Sequence, residues 1–114
     1  MKYDKLIRDR IPEIIAQNGQ TARVRRLTEQ EYLEKLDRKL DEELAEYHAD
    51  GNVEELADLL EVIYAAALAR GCPAEELDRI RRDKAVKRGA FEEKLLLLEV
   101  TGPSSEKDGK ERPC

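Results

Sequence analysis

The sequence predicts a mainly α fold organised around an antiparallel helical hairpin. Three observations carry this. Charged residues make up 41% of the chain and aromatics 4%, with no Trp. That composition suits helices with Leu and Ala stripes better than sheets, which favour β-branched and aromatic side chains. Leucines recur at steps of three and four along two long segments, and residues that start and stop helices bracket both. At 114 residues the chain fits one domain of 1–100 with a polar, disordered tail over 101–114. A chain this short buries a limited fraction of its surface, so association of copies is a natural way to complete the core.

Taken in order, Lys5 to Pro12 mixes apolar and basic residues, and Pro12 opens a short helix to Gln17 because proline suits the first turn. Asn18-Gly19 stops it. Thr21 to Leu27 is expected as a short strand or extended arm. Thr28 and Glu31 have the spacing of a capping box, and Leu33, Leu36, Leu40, Leu44 and Tyr47 then mark one helix face. Asp50-Gly51-Asn52 breaks this helix. Asn52 with Glu55 opens the next, whose stripe is Leu56, Leu59, Leu60, Ile63 and Ala67 and whose end is Arg70-Gly71. The connection is short, so the two helices should be antiparallel neighbours. Pro73 opens a third helix with Leu77 and Ile80, closing at Gly89. Phe91 to Val100 holds four successive leucines and fits a short helix or a buried strand; periodicity does not choose between them. A small β-ribbon between residues near 21–27 and 95–100 is compatible with this pattern.

Charge is segregated along the chain. No Lys or Arg occurs between Lys39 and Arg70, while Asp41, Glu42, Glu43, Glu46, Asp50, Glu54, Glu55, Asp58 and Glu61 do. The N-terminal segment and the third helix are basic. Surface helices ordinarily intersperse signs, since Glu–Lys pairs four apart add about 0.2–0.5 kcal/mol each. A hairpin without them needs a cation, or basic residues from elsewhere, to offset the repulsion. A solvated acidic hairpin paired with basic helices of the same or another subunit meets that need as well as a metal does.

Spacing adds weight to the metal. Glu43 and Glu46 lie three apart on the first long helix, and Glu55 and Asp58 three apart on the second, so each pair shares one side. On a wheel of 3.6 residues per turn, Glu55 and Asp58 border their leucine stripe, Glu43 and Glu46 lie beside theirs, and Glu42 is close to Glu46 in angle. If the stripes pack, the carboxylates meet and cannot all stay ionised uncompensated. All-oxygen ligands suit Mg²⁺, Mn²⁺ or Ca²⁺ rather than zinc. A di-iron bundle would need Glu three before His, and Ala45 stands three before His48. With one His, and Cys72 beside Pro73, neither a Ser-His-Asp nor a Cys-His arrangement is indicated, and the two cysteines suggest no disulfide framework. A carboxylate-held Mg²⁺ flanked by Lys and Arg is suited to phosphate chemistry, and no Gly-rich phosphate loop is present. The net charge of −5 argues against duplex nucleic acid as a partner. The sequence lacks a signal-peptide pattern and a membrane-length apolar run, so a cytoplasmic location and no membrane partner are expected.

Glu42-Glu43-Leu44-Ala45-Glu46 followed by Glu55-Leu56-Ala57-Asp58 resembles the paired motif of the MazG-like, all-α nucleoside triphosphate pyrophosphohydrolases. Lys5-Leu6-Ile7-Arg8-Asp9-Arg10-Ile11-Pro12-Glu13-Ile14-Ile15 and Asp83-Lys84-Ala85-Val86-Lys87-Arg88-Gly89-Ala90-Phe91 are similar to a single-domain branch of that family. The branch carries the label phosphoribosyl-ATP pyrophosphohydrolase-like, or house-cleaning pyrophosphatase. The resemblance runs from about Tyr3 to Val100. It departs at Ala90, where the branch commonly has a second glycine.

The resemblance implies metal-dependent cleavage between the α and β phosphates of a nucleotide, giving a monophosphate and pyrophosphate, in a homodimer or homotetramer whose helices complete the bundle. It implies Glu43, Glu46, Glu55 and Asp58 as ligands of Mg²⁺, for which Mn²⁺ can substitute, and Glu42 as the acid that orients or deprotonates water. Lys84, Lys87 and Arg88 match the downstream basic residues that face the phosphates, and Lys5 and Arg8 belong to the branch's own substrate-binding motif. Phosphoribosyl-ATP as substrate, and a non-catalytic metal- or nucleotide-binding sensor or interaction module, are the alternatives.

Overall fold

The computed structural model describes residues 3–103. It contains four helices, α1 (Ile11–Gln17), α2 (Glu29–Asp50), α3 (Val53–Ala69) and α4 (Ala74–Arg88). No strand occurs among the described residues, and the fold is mainly α as the composition and periodicity predict.

The chain divides into two compact units, the first ending at Arg82 and the second beginning at Asp83, within α4. In the first unit the Thr28 hydroxyl accepts from the Glu31 amide at 3.2 Å, and the Glu31 carboxylate accepts from the Thr28 amide at 3.0 Å. This reciprocal box satisfies two amides at the start of α2 that the helix itself cannot pair. Arg25 braces it with two bonds to the Glu31 carboxylate, at 3.1 and 2.9 Å. These contacts hold the Glu31 carboxyl down at a pKa of about 2, the Arg25 hydrogen bond contributing most.

α2 ends at Gly51, in the left-handed conformation with φ 67°, whose amide donates to the Tyr47 carbonyl at 2.7 Å. That backbone turn costs a residue with a side chain about 1–2 kcal/mol, and glycine avoids the cost. Asn52 follows at once as the cap of α3, its side chain accepting from the Glu55 amide at 3.1 Å. With so short a connection α2 and α3 pack as an antiparallel hairpin.

Burial fades along the leucine stripes. Leu36 is fully buried, Leu33, Leu40 and Tyr47 are half-buried, and Leu44 is exposed. On α3, Leu59 and Ala67 are half-buried while Leu56, Leu60 and Ile63 are exposed. The first unit is further tied by Lys35 to Asp4 at 3.2 Å, Arg70 to Asp37 at 3.9 Å, and the Tyr64 hydroxyl donating to Asp78 at 3.1 Å.

Two expectations need correction. Of the two readings of Thr21 to Leu27 the strand is not formed, and with it the β-ribbon to residues 95–100; the segment is irregular and is joined to α2 by the Arg25 brace. Phe91 to Val100 is neither helix nor buried strand. It makes a turn closed by the Lys94 amide donating to the Phe91 carbonyl at 3.3 Å and then runs as an irregular segment. Leu95, Leu96 and Leu98 are each more than 80% exposed. A run of leucines signals a need for cover but not where the cover comes from. α1 begins one residue before Pro12. The expected tail falls mostly on residues 104–114, outside the described residues.

Candidate functional site

α2 supplies three carboxylates and α3 two. Glu42, Glu43 and Glu46 each offer an oxygen within 4.8 Å of the others, and Glu43, Glu55 and Asp58 do the same. Glu43 belongs to both groups and therefore joins the two helices. It is 7% exposed, although carboxylates are almost never that buried without partners. Its Oε1 lies 3.5 Å from Lys39 Nζ, while its Oε2 is buried with no hydrogen-bond partner. Glu55 Oε2 is buried and unpartnered too. Leaving a buried acceptor unpaired costs about 1–3 kcal/mol, more for a charged group.

Electrostatics register this crowding. The Glu43 carboxyl is pushed above the ordinary carboxylate range by burial first and by the neighbouring Glu46 charge second, against the pull of Lys39. Glu55 is pushed up as well, by burial first and then by Glu46, Asp50, Asp58 and Glu43. Both shifts disfavour the charged form, as expected where like charges gather in reduced solvent.

Basic side chains edge the cluster. Lys39 Nζ lies 3.3 Å from Glu42 Oε1, and Lys5 Nζ lies 3.6 Å from the same oxygen. Arg8 Nη2 donates to Asp58 Oδ1 at 2.7 Å, bridging fifty residues of sequence. A cleft of about 400 Å³ opens beside the acids, between the arm that carries Arg8 and the hairpin. Its wall combines Arg8, Lys39, Glu43 and Asp58 with apolar Leu6, Ile7, Leu36 and Val62. Such a cleft offers both signs of charge and an apolar surface to one ligand.

The structure thus brings together Glu42, Glu43, Glu46, Glu55, Asp58, Lys5 and Arg8 within the first unit. Glu42 and Asp58 are half-buried, and Glu46, Lys5 and Arg8 are exposed. Lys84, Lys87 and Arg88 lie exposed on the last turns of α4, in the second unit. Lys39 was not among the residues picked out from sequence. Its spacing of three and four before Glu42 and Glu43 was the available signal, but that spacing also describes an ordinary surface ion pair. What distinguishes Lys39 is burial, with its side chain 15% exposed.

The carboxylates are compatible with a hard divalent ion, since every donor is an oxygen and two buried oxygens lack partners. His48 is exposed and stacks at a tilt on Tyr47, outside the acid groups. Cys72 is a free thiol whose Sγ lies 3.7 Å from the Pro73 carbonyl. Among the described residues no helix is long and apolar enough to cross a membrane.

No family model matches the chain, and no solved structure matches it. An uncharacterized protein of Mycolicibacterium smegmatis is 53% identical over 45 residues, which cover 40% of this chain and 46% of that protein. The match spans about half of that relative's length.

Proposed function

We propose that this chain is a Mg²⁺-dependent nucleotide pyrophosphohydrolase of the MazG-like kind, cleaving between the α and β phosphates to give a nucleoside monophosphate and pyrophosphate. The observation that carries the reading is Glu43. It is a buried acid shared by two carboxylate groups, with one oxygen unpartnered, and Glu55 of the second group likewise has a buried oxygen unpartnered. A divalent ion would satisfy both oxygens and relieve the repulsion around them.

Glu43, Glu46, Glu55 and Asp58 are the residues that would hold the ion. A bound Mg²⁺ lowers the pKa of water and offsets charge developing on phosphate oxygens. Glu42, half-buried beside these acids, would orient water and take up its proton. The water oxygen bonds to the α phosphorus as the bond from that phosphorus to the bridging oxygen breaks, and pyrophosphate carries the electron pair away. Lys5 and Arg8 stand beside the acids to meet phosphate oxygens, as charge-assisted donors do. Lys84, Lys87 and Arg88 are assigned to phosphate by the resemblance of their motif alone.

The same reading includes a cytoplasmic house-cleaning role and a homodimer or homotetramer. Exposure of Leu44, Leu56, Leu60 and Ile63 on the hairpin supports association, because apolar patches of this kind mark interfaces.

The test is incubation with Mg²⁺ and a panel of canonical, oxidised and deaminated nucleoside triphosphates, with products resolved by chromatography. Monophosphate plus pyrophosphate is expected from at least one member, and Glu55→Gln or Asp58→Asn should lower turnover at least 100-fold, roughly the scale of losing a transition-state contact. Diphosphate plus orthophosphate would overturn the proposed cleavage. Turnover of phosphoribosyl-ATP alone would reassign the substrate, and binding without turnover of any member would make the chain a sensor.

A further inference from the structure

Lys39 is the basic residue most deeply placed at the site, and nothing in the family motifs assigns it. Its ammonium lies 3.3 Å from Glu42 and 3.5 Å from Glu43, on a side chain only 15% exposed. It reaches the Oε1 atom of Glu43 but leaves Oε2 unpartnered in a side chain more than nine-tenths buried. Arg8 plays the parallel part at Asp58. The cations thus cap the edges of the acid cluster and leave its interior, between Glu43 and Glu55, without a positive group. Both Lys39 and Arg8 also line the cleft beside the acids.

We propose that Lys39 is a counter-cation of the metal-free site that yields its carboxylates to the divalent ion and then serves as a ligand for the substrate's phosphate in the cleft; this rests on the metal reading above. The physical sequence is direct. Five carboxylates gathered in two triads that share Glu43 need positive charge nearby to offset their repulsion. A divalent ion seated among Glu43, Glu55 and Asp58 supplies more of it, repels the ammonium and draws electron density from the oxygens that hold it. Lys39 has a flexible four-carbon stem and three donors that reorient freely, and its wall of the cleft gives it a second anion to reach. Ion and phosphate then bind cooperatively, each raising the affinity for the other by the same factor. Arg8 makes the same transfer from Asp58.

The experiment follows Lys39 itself in the full chain. Amine labelling read by mass spectrometry is measured without metal, with saturating Mn²⁺, and with Mn²⁺ plus pyrophosphate. Mn²⁺ binding is followed in parallel by the spectrum of the free ion. Labelling of Lys39 should rise on adding Mn²⁺ and fall again with pyrophosphate. Lys39→Met should bind Mn²⁺ roughly two- to fivefold tighter, the range set by a modest ion pair, yet lose the gain in pyrophosphate affinity that Mn²⁺ gives the unaltered chain. Lys39→Arg should keep that gain. If Mn²⁺ binds but labelling of Lys39 does not change, the displacement is overturned and the metal reading stands. If labelling rises but Lys39→Met keeps the full gain in pyrophosphate affinity, the phosphate role is overturned. If the unaltered chain binds Mn²⁺ no better than Glu55→Gln, both this proposal and the metal reading fail.

Discussion

At the scale of the residue, Glu43 is held at a cost to the fold. Its pKa is raised above the ordinary 4.5, so the folded state takes up its proton more readily than the unfolded chain does. The stability that this group contributes is therefore complete below about pH 4.5 and lost as pH rises through the raised value. Glu43→Gln should accordingly raise the melting temperature of the metal-free protein at neutral pH. The expected gain is about 4 °C, the shift that roughly 1 kcal/mol produces in a domain of this size. The same substitution should abolish any Mg²⁺-dependent rise in melting temperature, which ligand binding to the native state otherwise guarantees. Differential scanning fluorimetry with and without Mg²⁺ checks both; a lower metal-free melting temperature for the variant would contradict the first. The acid pairs were legible in the sequence because residues three apart share a helix side whatever surrounds them. Lys39 was not, because spacing records who can meet and says nothing of how much solvent is left when they do.

At the scale of the element, α2 depends on its first turn. The Thr28–Glu31 box and the Arg25 brace fix where the helix begins. Glu31 is held at a pKa of about 2 against an ordinary 4.5, so its contribution is present above about pH 4.5 and fades as pH falls toward 2. Helical circular dichroism compared between the native chain and Glu31→Gln should differ at neutral pH and converge by about pH 2, where the native carboxyl protonates. Thr28→Ala should cost about 1 kcal/mol in urea denaturation. The caps and breaks were readable in advance because they are local chemistry: Thr28, Gly51 and Asn52 act within three residues of themselves. The segment from Phe91 to Val100 was misread because the cover for an apolar run is a tertiary matter, and its leucines in fact face outward.

At the scale of the whole molecule, the described residues are short of interior. Among the described residues Leu36 is the fully buried apolar side chain, and Leu36→Ala should cost about 2–5 kcal/mol. Exposed Leu44, Leu56, Leu60 and Ile63 should find cover in another copy, so sedimentation should show a dimer or larger species, and Leu60→Glu should drive it toward monomer. A melting temperature independent of protein concentration would count against association. The mainly α architecture followed from composition and periodicity, whereas assembly depends on surfaces that only a folded chain presents. The cations that edge the acid cluster have one more consequence under the proposed metal role, for the order of events in a living cell. Many small metal-binding domains cannot fold until the ion arrives, because the ion supplies the folding energy. Here Lys39, Lys5 and Arg8 already pair with acids of the cluster, so on the proposed metal role the newly made chain would reach its native shape during metal scarcity. Ion supply would then decide when the protein works and not whether it survives, leaving a starved cell with a reserve that a returning ion could switch on without new synthesis.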